Sequence, residues 1–305
     1  MAKFKFDIAE SVRVQLTVEQ QKQIEQLYSQ AAKEIEEAAK KLPVTVSDVY
    51  RQQYLANLQK QLVEQFNQIQ EELNSGIQTN MKKVCEAAVK DNAEFLSNAG
   101  LSIKGAYSHV PDEIIRTIIT GKLYEGNWTL SKALWGSNSK TQQDIQTIIA
   151  KGIAENKSAY DIAKDLEKYV DPKARKDWDW SKVYPGTSRR VDYNAQRLAR
   201  TMVSHAYQQS FIRMTQKNPF VEAYQWISGH TERTCEICIA RETNDSFGLG
   251  RGIYPKDALP LDHPNGLCTF IGVIPPMMDV SNRLADWAKG KSDPAIDAWM
   301  DDMFA

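Results

Sequence analysis

The sequence predicts an α+β protein that is mainly α: a long helical N-terminal region, a helical middle and a small C-terminal α+β unit. Three observations carry this expectation. Apolar residues recur at threes and fours from residue 17 to about residue 98. The texture changes after Pro219, where aromatic and β-branched residues alternate in short runs. Three of the four cysteines fall within 34 positions of one another in that last part. A chain of 305 residues suits about two domains. The pattern divides into a long-helix arm or hairpin at 1–98, a helical middle at 99–188, a core at 189–276 and an acidic tail at 277–305.

Composition excludes little but directs the search. The chain is 42% hydrophobic and 25% charged with a net charge of -1, so no global field draws it to nucleic acid or to a membrane. The N-terminus MAKFKFDIAE is mixed in charge and has no apolar core, so no signal peptide is expected. No run of about 18 apolar residues occurs, so no membrane span is expected. The expected setting is a reducing cytoplasm.

Residues 17–42 read as the first helix, with Ile24, Leu27, Tyr28, Ala31, Ile35, Ala38 and Leu42 on one face. Thr17 is its expected N-cap, Gln20 its capping-box partner and Pro43 its stop. The next helix runs from Val46 to about Asn98. Its stripe from Leu55 through Leu58, Leu62, Phe66, Ile69, Leu73, Ile77, Met81 and Val84 to Ala88 covers 33 residues in nine steps, or 3.67 per step. That value matches an 11-residue repeat, which implies a nearly straight helix. The stripe packs either on the rest of the chain, as in a helical hairpin, or on a partner. Cys85 sits in this pattern and reads as a small buried apolar residue.

In the middle region Asp112 is the expected cap of the segment ending at Gly121. Residues 141–154 and 158–169 give two more amphipathic helices, the second opened by Ser158 with Asp161 three residues on. A loop follows from Asp171 to Ser188. Arg189–Gln216 is a long helix with Ala195, Leu198, Ala199, Met202, Ala206 and Phe211 towards its buried side. Val221–Ile227 and Thr269–Ile274 read as strands. In the tail, six Asp face three basic residues, and Trp287, Trp299 and Phe304 are candidates to dock it.

Between the two strands lies the pattern C-x2-C, then 24 residues, then H-x4-C: Cys235, Cys238, His263 and Cys268. Zinc prefers four tetrahedral ligands drawn from thiolate and imidazole. A C-x2-C turn aims two sulfurs at one point, and His263 with Cys268 can close the site. Three Cys and one His leave no position for water, so such a zinc is structural, and the C-terminal unit becomes zinc-ribbon-like. Two other readings stay open: reduced cysteines without metal, and a redox C-x2-C, which lacks a thioredoxin-like strand–motif–helix setting. A zinc-supported His–Asn nuclease built on Asp262, His263 and Asn265 is a further alternative, although no second His follows His263.

The segments Ala199–Tyr207 (ARTMVSHAY), Tyr224–Cys238 (YQWISGHTERTCEIC) and Leu261–Pro275 (LDHPNGLCTFIGVIP) together resemble the phage head morphogenesis family, the minor head proteins similar to protein F of phage Mu. The resemblance covers about eighty residues, from Arg197 to Pro276. It departs at Gly266, where many members carry a further cysteine, so this chain has no spare ligand. What the resemblance implies is a minor head component in the virion, in the head interior or at the portal vertex. Its implied partners are portal, capsid and scaffold proteins, and it would influence packaging or ejection of DNA. An effector delivered with the DNA is a weaker option.

Eight basic residues against three acids occupy 173–200, interleaved with Trp178, Trp180, Tyr184 and Tyr193. Such a stretch is usually a solvated face, with contact to packaged DNA through Lys173, Arg175, Lys176, Arg189 and Arg190 as the alternative. Ser204 and His205 are adjacent on a helix and so are not expected to form a catalytic dyad. His205 reads as a packing or surface histidine, His230 either as a group behind the cysteine ligands or as a residue without a role, and His109 as turn chemistry. No catalytic residue is expected, and the chain reads as non-enzymatic.

Overall fold

The computed structural model describes residues 2–41, 48–124, 126, 128–155, 157–173, 191–230 and 234–305. It is mainly helical, with one small antiparallel sheet. In chain order the elements are β1 (Ala2–Phe4), α1 (Asp7–Lys40), α2 (Asp48–Asn98), α3 (Val110–Ile119), α4 (Leu130–Ala154), α5 (Ala159–Val170) and α6 (Val191–Thr215). Then come β2 (Ala223–Ile227), α7 (Glu236–Thr243), β3 (Ile253–Tyr254), β4 (Thr269–Ile274), α8 (Met277–Ala288) and α9 (Pro294–Asp302).

Packing divides the chain into two compact units. One comprises Met1–Thr17, Gln78–Leu123 and Arg200–Ala305; the other comprises Val18–Ile77 and Tyr124–Ala199. Neither is continuous in sequence, because α1, α2 and α6 each contribute to both.

The stripe of α2 is buried throughout, from Leu55 at 2% exposure to Ala88 at 0%. It is therefore used within the chain, as a regular repeat on a single helix face requires. In the second unit the stripe meets α1 through the rings of Tyr28 and Phe66, 5.8 Å apart. There α4 and α5 add Ile145, Ile148, Ile162 and Leu166, all buried. Ser158 caps α5 as the sequence predicts: its Oγ accepts from the Asp161 amide at 3.1 Å and donates to the Asp161 carboxylate at 2.7 Å. Buried Asp144 accepts from the Tyr169 hydroxyl at 2.7 Å and pairs with Lys140 at 2.8 Å, so its charge is matched where water is excluded.

The first unit holds the sheet, with strand order β1-β4-β2-β3 and every pairing antiparallel. Strand β4 pairs with β2 from Ala223↔Val273 to Ile227↔Thr269, and with β1 from Ala2↔Ile274 to Phe4↔Gly272. Phe211 of α6 is the aromatic hub beneath it. Its ring lies 4.8 Å from Phe6, 5.7 Å from Tyr224 and 6.4 Å from Phe270. The tail is folded rather than loose. Trp299 is fully buried against Phe220 at 5.7 Å, and Asp302 is paired with Arg213 at 2.8 Å and Lys217 at 3.0 Å. Phe304 stays exposed, so Trp299 alone of the three tail aromatics is fully buried; Trp287 donates to Asp297.

Four sequence expectations are corrected. The helix expected at 141–154 starts at Leu130, opened by Thr129, whose hydroxyl accepts from the Lys132 amide at 3.1 Å. Thr17 is no cap: α1 starts ten residues earlier, and the Thr17 hydroxyl bonds back to the Arg13 carbonyl at 2.9 Å. The cap of α1 comes instead from α2, where the buried Asp91 carboxylate accepts from the Ile8 and Ala9 amides at 2.9 and 2.7 Å. A local sequence window cannot show a cap supplied from more than eighty residues away. Asp112 also lies inside its helix, which begins at Val110 with Pro111 in the first turn. Finally, strands β1 and β3 join the two expected ones. The alternation AKFKF is the signal for β1, which becomes a strand because β4 offers it an edge. The helix stop at Pro43 and the first two residues of the expected Arg189–Gln216 helix lie outside the described residues.

Burial pushes the Asp91 carboxyl up to about 6, while the two amides it accepts from pull the other way. A value raised above that of the unfolded chain means that the fold holds the proton more tightly. Stability from the protonated form is complete below about pH 4 and is lost as pH rises through the folded value. Asp91→Asn does not titrate. Between pH 4 and about pH 7, urea midpoints of the natural chain are therefore expected to fall relative to this variant.

Candidate metal centre

Cys235 is the N-cap residue of α7 and Cys238 lies in its first turn. Residues three apart on a helix share a face, which is why C-x2-C brings two sulfurs together here. His263 begins the turn His263-Pro264-Asn265-Gly266, closed by a bond from the Gly266 amide to the His263 carbonyl at 2.9 Å. Proline in the second position and Asn265 at φ +70° in the third are the signature of a type II turn. Cys268 follows as the last residue before β4.

These elements bring all four predicted residues together. His263 Nε2 lies 3.2 Å from Cys235 Sγ and 3.1 Å from Cys238 Sγ. Cys268 Sγ lies 3.2 Å from Cys238 Sγ. The ligand atoms form two overlapping triads that share Cys238: Cys235, Cys238 and His263 on one side, Cys238, Asp262 and Cys268 on the other. A tetrahedral thiolate–imidazole site implies separations of roughly 3.5–3.8 Å between ligand atoms. The three spacings given are slightly shorter, whereas Cys268 Sγ lies more than 4.8 Å from at least one of the Cys235 and His263 ligand atoms, so a cation bound by all four would widen the short contacts and draw Cys268 in. Histidine tautomer fits as well. Nδ1 bonds the Pro264 carbonyl at 3.0 Å, which requires the proton there and leaves the Nε2 lone pair facing the sulfurs.

The thiols divide by environment. Cys235 is held below the ordinary thiol range, chiefly because the Cys238 backbone N–H at the start of α7 faces its sulfur. Burial pushes Cys238 up to about 11 and raises Cys268 as well. Buried thiols of this kind ionise when a cation is close enough to compensate.

A buried face of α6 holds the ligand loop in place. Asn265 accepts from the Arg200 guanidinium at 2.8 Å and donates its amide to the Thr201 hydroxyl at 2.8 Å. Ser204 Oγ donates to the Gly266 carbonyl at 3.1 Å. His205 Nε2 bonds the Asp262 carbonyl at 3.1 Å, and burial pushes its imidazole below the usual value, so a neutral ring donates this bond. Gln208 bonds both the Cys268 carbonyl and the Asp262 amide. Ser204 and His205 thus both face the loop. Each engages a different carbonyl.

Two further anchors lie beyond the motifs. Arg13 of α1 is 1% exposed, lies 5.0 Å from the Tyr207 ring, pairs with Glu10 at 2.6 Å and donates to the Leu267 carbonyl at 3.1 Å. Arg241 of α7 stacks at 4.8 Å on Trp226, which is fully buried. Sequence reasoning missed both, and for Arg13 its local pair with Glu10 gives no sign of the carbonyl it reaches more than 250 residues away. A signal did exist for α6: Thr201, Ser204, His205 and Gln208 form a polar stripe at helical spacing.

The remaining candidates are placed as follows. His230 is exposed, adopts φ +45° and pairs with Glu242 at 2.8 Å, so it supports α7 rather than the metal pocket. His109 sits at the start of α3 beside Glu113. The groups considered for a nuclease are engaged structurally, Asp262 with backbone amides and Asn265 with Arg200 and Thr201. Lys173 is exposed at the end of a turn. Arg175, Lys176, Arg189 and Arg190, with Trp178, Trp180 and Tyr184, lie outside the described residues. Among the described residues, no helix is long and apolar enough to cross a membrane.

Comparison of the chain with protein-family models, with curated proteins and with solved structures returns no match.

Removing a buried charge that also satisfies a carbonyl is costly. Arg13→Met keeps most of the volume but leaves Glu10 and the Leu267 carbonyl without this donor. A loss of about 3 kcal/mol is expected, read as a shift of the urea unfolding midpoint.

Proposed function

We propose that this chain is a non-enzymatic minor head protein of a phage, acting in head morphogenesis at or near the portal vertex. One observation carries the reading. The three segments that resemble the head morphogenesis family are separate in sequence, yet their distinctive residues are spent on one site. The polar stripe of α6 bonds the His-Pro loop, Trp226 seats Arg241 of the cysteine helix, and the cysteines meet His263. The support is motif order and convergence, not overall similarity to another chain.

The metal we propose is zinc, held by Cys235, Cys238, His263 and Cys268 in a zinc-ribbon-like clamp. When bound, it would supply a cross-link between the start of α7 and the loop before β4. Three thiolates and one imidazole complete its coordination and leave no position for a reacting water, which favours a structural role. The protein's own residues orient the imidazole, exclude water from Cys238 and Cys268, and fix the loop to α6. The apolar stripe of α2 is consumed inside the chain. Binding to portal, capsid or scaffold proteins therefore falls to other, outward surfaces. The localisation that follows is the virion, after assembly in the host cytoplasm.

Purified chain is expected to carry about one zinc per molecule. Cys235→Ser, Cys238→Ser, His263→Ala and Cys268→Ser should each lose it and melt at lower temperature, checked by elemental analysis and calorimetry. In cells assembling heads, the chain should co-sediment with procapsids or with the portal. Absence from both would sink the assembly role, and divalent-metal-dependent DNA cleavage by the purified protein would favour a nuclease instead.

A further inference from the structure

The Asp262 carboxylate has no exposed side-chain surface. It belongs to neither the C-x2-C nor the H-x4-C pattern. Its Oδ1 accepts from the His263 amide at 2.8 Å and its Oδ2 from the Cys268 amide at 3.2 Å. One carboxylate thus grips the backbone of two ligands that lie five residues apart. The positive groups facing it are the Arg241 guanidinium at 3.9 Å and, when protonated, His263 at 4.0 Å. Its own amide and carbonyl are held by Gln208 and His205 of α6. It also lies close enough to the Cys238 and Cys268 sulfurs to form a triad with them.

Gly266 completes the arrangement. A Cβ on this residue would collide with both carboxylate oxygens and the carboxyl carbon of Asp262. The end of a flexible side chain could normally give way to a methyl group. This one cannot do so without breaking both amide bonds, because it is buried and held at each oxygen. The space over Gly266 is therefore the seat of the Asp262 carboxylate.

We propose that Asp262 is the positioning carboxylate of the metal centre, and that Gly266 is glycine in order to seat it. In this role Asp262 sets the backbone of His263 and Cys268 so that imidazole and thiol converge on Cys238. It also adds a negative charge beside the bound cation without filling a coordination position. The inference rests on the metal-binding part of the function proposed above.

The test is titration of the full-length metal-free protein with cobalt(II), read by the thiolate charge-transfer and d–d bands, followed by competition with zinc. The natural chain is expected to bind one cobalt in a tetrahedral spectrum. Asp262→Ala should weaken binding about 10–100-fold and alter the d–d bands while all four ligands remain, with Asp262→Asn, which keeps one acceptor oxygen, in between. Gly266→Ala should weaken binding in the same way. The double variant should be no weaker than Asp262→Ala alone, because the methyl group then meets empty space; independent roles would instead multiply. Far-ultraviolet circular dichroism reports folding, and Asp262→Asn carries the test should the alanine variants unfold. Wild-type affinity and spectrum in folded Asp262→Asn and Asp262→Ala, or a multiplicative double variant, overturn the proposal. If the natural chain binds neither cobalt nor zinc, the metal reading itself fails and this inference with it, a result distinct from a silent Asp262.

Discussion

A loop without regular structure lies against α6 in the C-terminal unit with Asp262, Gly266 and Cys268 buried, and the backbone polar groups it buries must be bonded there. Buried amides and carbonyls left without partners cost free energy comparable to a lost hydrogen bond. The loop at 261–268 cannot pair with itself as a helix or strand does. Its partners come from one face of α6, where Thr201, Ser204, His205 and Gln208 engage Asn265, Gly266, Asp262 and Cys268 in turn. Asp262 satisfies two more amides from within the loop. Helix α6 is thus buried on its polar side as well as its apolar side, and the ligand cluster exists because that polar side exists.

The same constraint explains why the site draws in the N-terminus. Arg13 reaches the Leu267 carbonyl from α1, Asp91 of α2 caps α1, and β1 closes the edge of β4. Phe4 and Phe6 bring aromatic surface to Phe95 and Phe211 beneath the sheet. The cysteine unit is therefore no independent finger on a helical stalk. Its stability is shared with residues at the opposite end of the sequence, so damage at Arg13 or Phe6 reaches the ligand loop by packing rather than by contact with a ligand. For the proposed assembly role, this makes the centre a fixed part of a larger body.

Much of this was legible in the residues. Helix type and extent followed from apolar spacing over α2 and α5, and the Ser158 cap from its neighbour Asp161, whereas only the second half of α4 was expected. The Cys and His spacing identified the side chains that meet, because a helical turn and a Pro-Asn-Gly turn each impose local geometry. Helix starts were less legible. Thr17 and Asp112 have the chemistry of caps, yet Asp91 and the Val110-Pro111 start prevailed, since a tertiary acceptor or a preset proline angle outweighs a local preference. The two added strands are short, and β1 depends on an edge formed by residues 272–274.

By itself, the sequence determined the periodic helices, the two main strands and the two short Cys and His motifs whose side chains converge, each feature set by residues within a few positions of one another. Only the tertiary structure decided the rest. It showed that the α2 stripe is consumed inside the chain and that α6 turns a polar face inward. It also placed Arg13 and Asp91 as anchors, and Asp262 over Gly266 between two ligands. The physical reason is range. Spacing along a helix or turn is local geometry, whereas satisfying a buried charge or carbonyl depends on whichever distant group the fold brings within about 3 Å.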